Sequence, residues 1–390
     1  MSTLFINAKI VFVDRIAEGA VRIDGGKITA IYEGAYETLP DDVVVDVSGD
    51  YLSPGFIDVH VHGGGGGYFM SGERAEIDAT CKMHMKHGTT TMTPAISAAP
   101  KEVIIKSFEG ITEYEKTEKV RPNFLGLYLE GPYLAPGACG AIPAGYIREP
   151  DPNEYRELLE RFPNIVRWGL APELHGAVDM VRELTARGVR TSIAHTEAFY
   201  DDAMAAREAG LDSITHFYSL TPTVRRVNAY RYAGVIEFGY LYDDIFVEVI
   251  ADGCHLPAPL LKLIYKIKGS DRIMLVTDGT SASGVEENDG KQYYTQMGKP
   301  IIVEDGVAKV LDRSCFAGSV ATTDRLVRTM VNLAEIPLFE AVKMVSATPA
   351  AYFKVFDKKG SIALGKDADL VIFDKDVNVK SVYVMGNKTV

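Results

Sequence analysis

His60 and His62, one residue apart in "FIDVHVHGGGGGYF", are the first residues in the chain whose types and spacing suggest chemistry. In an extended strand, side-chain direction repeats every two residues, so both imidazoles point to one side and can share a metal ion. The five glycines that follow pose a competing reading, because glycine-rich loops also cradle phosphates. That reading fails on detail. No Lys-Ser or Lys-Thr completes a Walker loop after Gly67, and the unbroken run lacks the spaced glycines of a dinucleotide fingerprint. The glycines are better read as letting the backbone turn sharply and pass close to an ion and its substrate.

Other candidates lie far apart in sequence. Glu130 ends "NFLGLYLEG", His195 ends "RTSIAH", His216 sits in "SITHFY" and Asp278 follows "IMLVT". Imidazoles and carboxylates suit zinc, iron, cobalt or manganese, and a hydrolytic site keeps one coordination position open for water. A carboxylate at Asp278 could take a proton from such a water and return it to a leaving group. The alternative for Asp278 is a turn or N-cap residue before "GTSASG". His255, in "ADGCH", is either a substrate or anion ligand or a loop-packing histidine. His84 and His87, in "CKMHMKHGTT", read as the end of a helix, where a histidine is favourable with the helix dipole.

The elements that must carry these residues alternate. Eight apolar runs read as strands: "GFIDVHVH", "TTTMTPAI", "NFLGLYLEG", "VRWGLAPE", "RTSIAH", "SITHFY", "IFVEVIADGCH" and "RIMLVTDG". Stretches at helical spacing separate them, such as "DPNEYRELLERF" and "AVDMVRELTARG". Strand alternating with helix implies parallel βαβ units, and buried parallel strands are this apolar. The C-terminal ends of the runs carry His60 with His62, Thr93, Glu130, Glu173, His195, His216, Asp252 with His255, and Asp278. In a (β/α)8 TIM-like barrel those ends converge on one mouth. The fold class is therefore α/β. Both ends of the chain are instead β-rich and glycine-punctuated, with a hairpin expected at Gly25-Gly26. Residues 1–53 and 355–390 are expected to form one small sheet domain beside a catalytic barrel over residues 54–354.

A formal net charge of −12 argues against a general nucleic-acid binder, although an acidic whole can hold a local pocket for a small anion. The four cysteines are scattered and form no C-x-x-C pair, so neither a zinc knuckle nor a disulfide framework is indicated. No signal peptide or membrane-spanning run is evident, and a cytoplasmic location is expected.

With these residues in place, the chain resembles the N-acetylglucosamine-6-phosphate deacetylase family of the amidohydrolase superfamily. The resemblance spans nearly the whole chain, through "PGFIDVHVHGGGG", "LEGPYL", "GLAPE", "AHTEA", "THFYSLTP", "ADGCH", "LVTDGT", "FAGS" and "GSIALGKDADLVIFD". It implies a distorted barrel beside a small β-sandwich, and a homodimer. It implies one or two divalent ions, zinc or iron, held by Glu130, His195 and His216, with His60 and His62 able to hold a second. Asp278 would move the proton, and the products would be acetate and an amino sugar. Substrate contacts would come from His255, Ser219, Leu220, Arg226, Ala317 and Gly318.

Two departures stand out. Ile142 replaces the family histidine that helps polarise the substrate carbonyl, and isoleucine donates no hydrogen bond. Ser219-Leu220 replaces an asparagine-alanine pair that contacts the sugar phosphate. The expected substrate is therefore N-acetylglucosamine 6-phosphate, with another N-acylated sugar or amine as the alternative. A third reading, from a different class, is a catalytically silent metabolite-binding barrel.

Overall fold

The computed structural model describes residues 2–390. Eight strands, Phe56–Val61 (β1), Thr89–Ser97 (β2), Leu127–Glu130 (β3), Ile165–Leu170 (β4), Arg190–Ile193 (β5), Ser213–Ile214 (β6), Phe246–Val249 (β7) and Ile273–Leu275 (β8), pair in chain order. Every pairing is parallel. A parallel bridge from Val61 to Gly279 joins the two ends, and the Asp278 N–H donates to the His60 carbonyl at 2.9 Å. The ring thus closes at its mouth, between the first and last of the expected strand ends.

A helix follows each strand: Arg74–Lys86 (α1), Lys101–Thr117 (α2), Pro152–Arg161 (α3), Ala177–Ala186 (α4), Tyr200–Glu208 (α5), Val235–Leu241 (α6), Ala258–Lys268 (α7) and Thr323–Asn332 (α8). Local sequence explains several boundaries. Asp151 caps α3 by accepting the Asn153 N–H at 2.9 Å, and Pro152 occupies the first helical position, where its missing N–H costs nothing. The helices cover the outer faces of the strands with Ile77, Ile104, Phe108, Leu158, Met180 and Leu184, all buried.

The chain ends meet in one eight-stranded sheet. The C-terminal strand Leu370–Phe373 pairs antiparallel with Tyr51–Pro54, which runs through Gly55 directly into β1. Asp24 and Lys27 face each other across the Gly25-Gly26 turn, as the sequence predicts. Phe373 packs on Phe56 at the start of β1, with ring centroids 6.2 Å apart, so the sheet fixes where the first barrel strand begins.

A further small sheet was not expected. Gln292–Tyr294, Pro300–Glu304 and Val307–Val310 form an antiparallel flap after β8. Its inner residues Ile301, Val303, Ala308 and Val310 pack with Ala282, Ala317 and Val320, which sets its first turn beside the barrel mouth.

Candidate active site and metal centre

At the mouth the chain leaves the strands through residues with left-handed backbone. His195, His216 and Asp278 have φ of 45°, 27° and 47°. Such conformations are unfavourable for residues with a Cβ and are held only where the surrounding structure demands them. Here they turn three side chains from the barrel wall into its mouth.

The structure brings His60, His62, Glu130, His195, His216 and Asp278 together, all buried. Each imidazole is tied at Nδ1. His62 faces the Ala95 carbonyl at 3.1 Å, His195 that of Ala138 at 2.9 Å, and His216 that of Ser219 at 3.0 Å. His60 Nδ1 lies 3.0 Å from Glu248 Oε2. Since carbonyls and carboxylates only accept, each Nδ1 carries the proton, and Nε2 presents a bare lone pair to the centre.

Those lone pairs converge. The Nε2 atoms of His60 and His62 are 3.0 Å apart, and those of His195 and His216 are 3.2 Å apart. Glu130 stands between the two pairs. Its Oε1 lies 3.2 Å from His195 Nε2 and 3.0 Å from His216 Nε2, while Oε2 lies 3.2 Å from His62 Nε2. Two groups with metal-holding geometry result, His60–His62–Glu130 and Glu130–His195–His216, sharing the one carboxylate. Acceptors crowded together with no donor between them are a poor arrangement for a dry core and a good one for a divalent cation. The residues present fit such an ion.

The field at the centre attracts positive charge. Burial opposes protonation of His60, but the carboxylates of Glu248 and Glu130 outweigh it and raise its pKa well above the ordinary value, so the lone pair on its Nε2 draws a cation. Burial likewise opposes ionisation of Asp278, and the positive charge drawn to His60 and His62 overcomes this and lowers its pKa. Asp278 Oδ1 lies 3.3 Å from His62 Nε2 and 3.5 Å from His60 Nε2, so this carboxylate borders the centre and is no surface turn residue.

Above the centre opens a cavity of about 340 Å³. His255, Ser219, Leu220, Ala317 and Gly318 line it together with Ile142. His255 is held by Asp252, with Nδ1 2.8 Å from Oδ2, and its ring packs on Phe316 with centroids 4.6 Å apart. Arg226 stands apart, on an exposed hairpin paired with Tyr230–Tyr232, and is not in the cavity wall. Glu173 accepts from Thr196 and the Glu197 N–H, both at 2.6 Å, outside the wall. Among the described residues lining the cavity there is no lysine or arginine.

The glycine run serves close packing. Gly65 and Gly66 form a two-residue turn, both at positive φ, between Gly63-Gly64 and Gly67-Tyr68. A Cβ on Gly67 would lie 2.3 Å from the Glu76 carbonyl oxygen of α1. His84, on the last turn of α1, faces the Gly63 carbonyl at 3.0 Å. Burial pushes its pKa down to about 4. It is therefore neutral near pH 7, and the dipole explanation for this residue gives way to a backbone hydrogen bond.

Three features escaped the reading of strand ends. Arg167 and Glu248 are buried inside the barrel, and Gln296 reaches the cavity from the flap. A charged residue within each of "NIVRWGL" and "IFVEVI" was the available signal for the first two. The side-chain oxygen of Gln296 is buried with no hydrogen-bond partner.

With this geometry established, comparison with known proteins decides the family. Residues 51–389 match the Amidohydrolase family. The chain belongs to that family. It is 30% identical over 367 residues to an N-acetylgalactosamine-6-phosphate deacetylase of Escherichia coli O157:H7, covering 94% of this chain and 93% of that protein. It is 28% identical over 381 residues to the N-acetylglucosamine-6-phosphate deacetylase of Bacillus subtilis (strain 168), covering 95% and 93%. Among solved structures, that of N-acetylglucosamine-6-phosphate deacetylase from Pasteurella multocida matches with a TM-score of 0.91 and 29% identity, over 100% of this chain and 99% of that one. A mutant of the Mycobacterium smegmatis deacetylase, in complex with N-acetyl-D-glucosamine-6-phosphate, matches with the same TM-score, 28% identity and the same coverage. As an amidohydrolase, the chain has the barrel its sequence predicts and clusters suited to a divalent metal. No helix among the described residues is long and apolar enough to cross a membrane.

Proposed function

We propose that this amidohydrolase removes the acetyl group of an N-acetylhexosamine 6-phosphate, most directly N-acetylglucosamine 6-phosphate, releasing acetate and the amino sugar phosphate. The observation that carries this reading is the set of bare Nε2 atoms and the shared Glu130 carboxylate on the floor of the cavity, with Asp278 beside them. The substrate class is supported by the deacetylases it resembles over nearly its whole length.

Glu130, His195 and His216 would hold one ion and His60 and His62 a second, the two carboxylate oxygens of Glu130 serving both sides. Zinc or iron suits this donor set. A divalent ion, when bound, makes water a nucleophile at neutral pH and polarises a carbonyl. Asp278 does the proton work. Its carboxylate takes a proton as the water oxygen bonds to the acetyl carbon, and it delivers a proton to the amine nitrogen as the C–N bond breaks. Ser219, Leu220, His255, Ala317 and Gly318 would contact the sugar. A barrel over residues 54–354 with the remaining chain as a small sheet, a cytoplasmic location and a homodimer belong to the same reading. Exposed Val224, Val227, Tyr230 and Tyr232, clustered about one hairpin, support an interface between copies.

One observation favours a second reading, an N-acylated sugar or amine without the phosphate. The wall carries Ile142, Leu220, Met297 and Phe316 and, among the described residues, no lysine or arginine. Specificity constants for N-acetylglucosamine with and without the 6-phosphate separate the two. The first reading expects the phosphorylated sugar to be preferred at least tenfold. Equal constants would leave the deacetylase and remove the phosphate.

A further inference from the structure

Arg167 and Glu248 are fully buried charges inside the barrel that the proposed chemistry does not use. Arg167, on β4, donates from Nη1 to Glu248 Oε1 and lies over the rings of Tyr128 and Tyr352, at 4.6 and 5.7 Å from their centroids. Glu248, on β7, has its other oxygen engaged twice. Oε2 accepts from His60 Nδ1 at 3.0 Å and from the backbone N–H of His216 at 3.1 Å. A single oxygen thus holds one histidine from each metal-holding group. A buried ion pair is in itself a weak stabiliser, because desolvation of both charges offsets their attraction. Its use here lies in what the carboxylate holds.

We infer that Glu248 is a positioning residue for the metal centre. It keeps the His60 ring in the Nδ1-protonated form, with Nε2 aimed at the ion, and it holds the His216 backbone in its left-handed turn. Arg167 supplies the counter-charge that keeps Glu248 ionised in the barrel interior. A carboxylate behind a ligating histidine orients the ring and raises its basicity, and losing such a partner weakens metal binding by about 10–100-fold. Three of the four imidazoles rest on backbone carbonyls, so His60 is the one ligand orientation that a side-chain substitution can release.

The inference rests on the metal reading above, and the experiment separates the two. Cobalt(II) is titrated into metal-stripped full-length protein, wild type, Glu248→Gln and Glu248→Gln/Arg167→Met, with chelator competition for affinity and visible absorption for ligand geometry. The double variant removes both charges, so no unpaired arginine is left in the interior. Expected are a folded double variant, cobalt affinity lowered about 10–100-fold at the position containing His60, and an altered cobalt spectrum. A folded double variant with wild-type affinity and spectrum would reduce Glu248 to a partner for Arg167 and overturn the inference. Failure of both variants to fold would equally assign Glu248 to stability alone. Wild-type protein that binds no cobalt would instead remove the metal reading itself.

Discussion

Individual side chains at the mouth divide into those that hold an ion and those that face a substrate, and each group is open to a separate test. Asp278→Asn keeps the shape of the side chain and removes its charge. Turnover is expected to fall by about 10²–10⁴-fold, the usual size of a general acid–base contribution, with metal content per chain unchanged. Acetate release and elemental analysis on one preparation check both halves, and turnover above a tenth of wild type would assign the proton transfer to another group. Gln296→Leu probes the substrate side. Its buried oxygen has no partner in the free protein, so the variant is expected to melt no lower than wild type. The specificity constant should drop about tenfold, the worth of roughly one net hydrogen bond. An unchanged constant would remove Gln296 from substrate recognition. At this scale the sequence was most legible where chemistry and spacing coincide, as at His60 and His62. It was least legible at Glu248 and Arg167, whose roles depend on strands that only closure of the barrel brings face to face.

At the scale of elements, the segment from β1 to α1 shows how local sequence builds a site. The glycines let the chain leave His62, turn at Gly65-Gly66 and lie against α1. Gly67→Ala would press a methyl group into the Glu76 carbonyl, and a loss of about 1–3 kcal/mol is expected in denaturant unfolding. A loss under 0.5 kcal/mol would mean that the helix yields easily. His84 ties α1 to Gly63 and makes stability depend on pH. Its pKa is about 4 in the folded state against 6.5 for a free histidine, so between those values the unfolded chain binds the proton that the folded chain refuses. This contribution is complete above pH 6.5 and is lost as pH falls, by at most about 3 kcal/mol at pH 4. In a His84→Gln variant, melting temperature should fall less steeply from pH 6.5 to 4 than in wild type, and equal slopes would contradict the account. All eight barrel strands could be located in the sequence because they are buried almost throughout and rich in apolar, β-branched residues, with only scattered polar ones such as Arg167 and Glu248. The first strand of the flap could not, because "NDGKQYYTQMGKP" is polar and glycine-broken; the other two, in "IIVEDGVAKV", carried an Asp-Gly hairpin signal that the reading of barrel strands passed over.

Across the whole molecule, the two chain ends and the eight strand ends set the function together. The terminal sheet fixes the start of β1, the ring closes at Gly279, and residues from distant parts of the chain arrive within hydrogen-bonding distance of Glu130. That convergence was readable in outline, since polar residues fell at the same end of each apolar run. The shape and charge of the cavity were not, because they arise from loops and the flap rather than from periodic elements. A net charge of −12 and a wall without lysine or arginine among its described residues give a phosphate no counter-charge in the cavity wall itself, and metal-dependent deacetylation is the central claim. Acetate release from N-acetylglucosamine 6-phosphate, by the same protein as prepared, after chelation and after reloading with zinc or iron, tests that claim most directly. The account predicts release that chelation abolishes and reloading restores. Protein that releases no acetate when fully loaded, or that is indifferent to chelation, would contradict it.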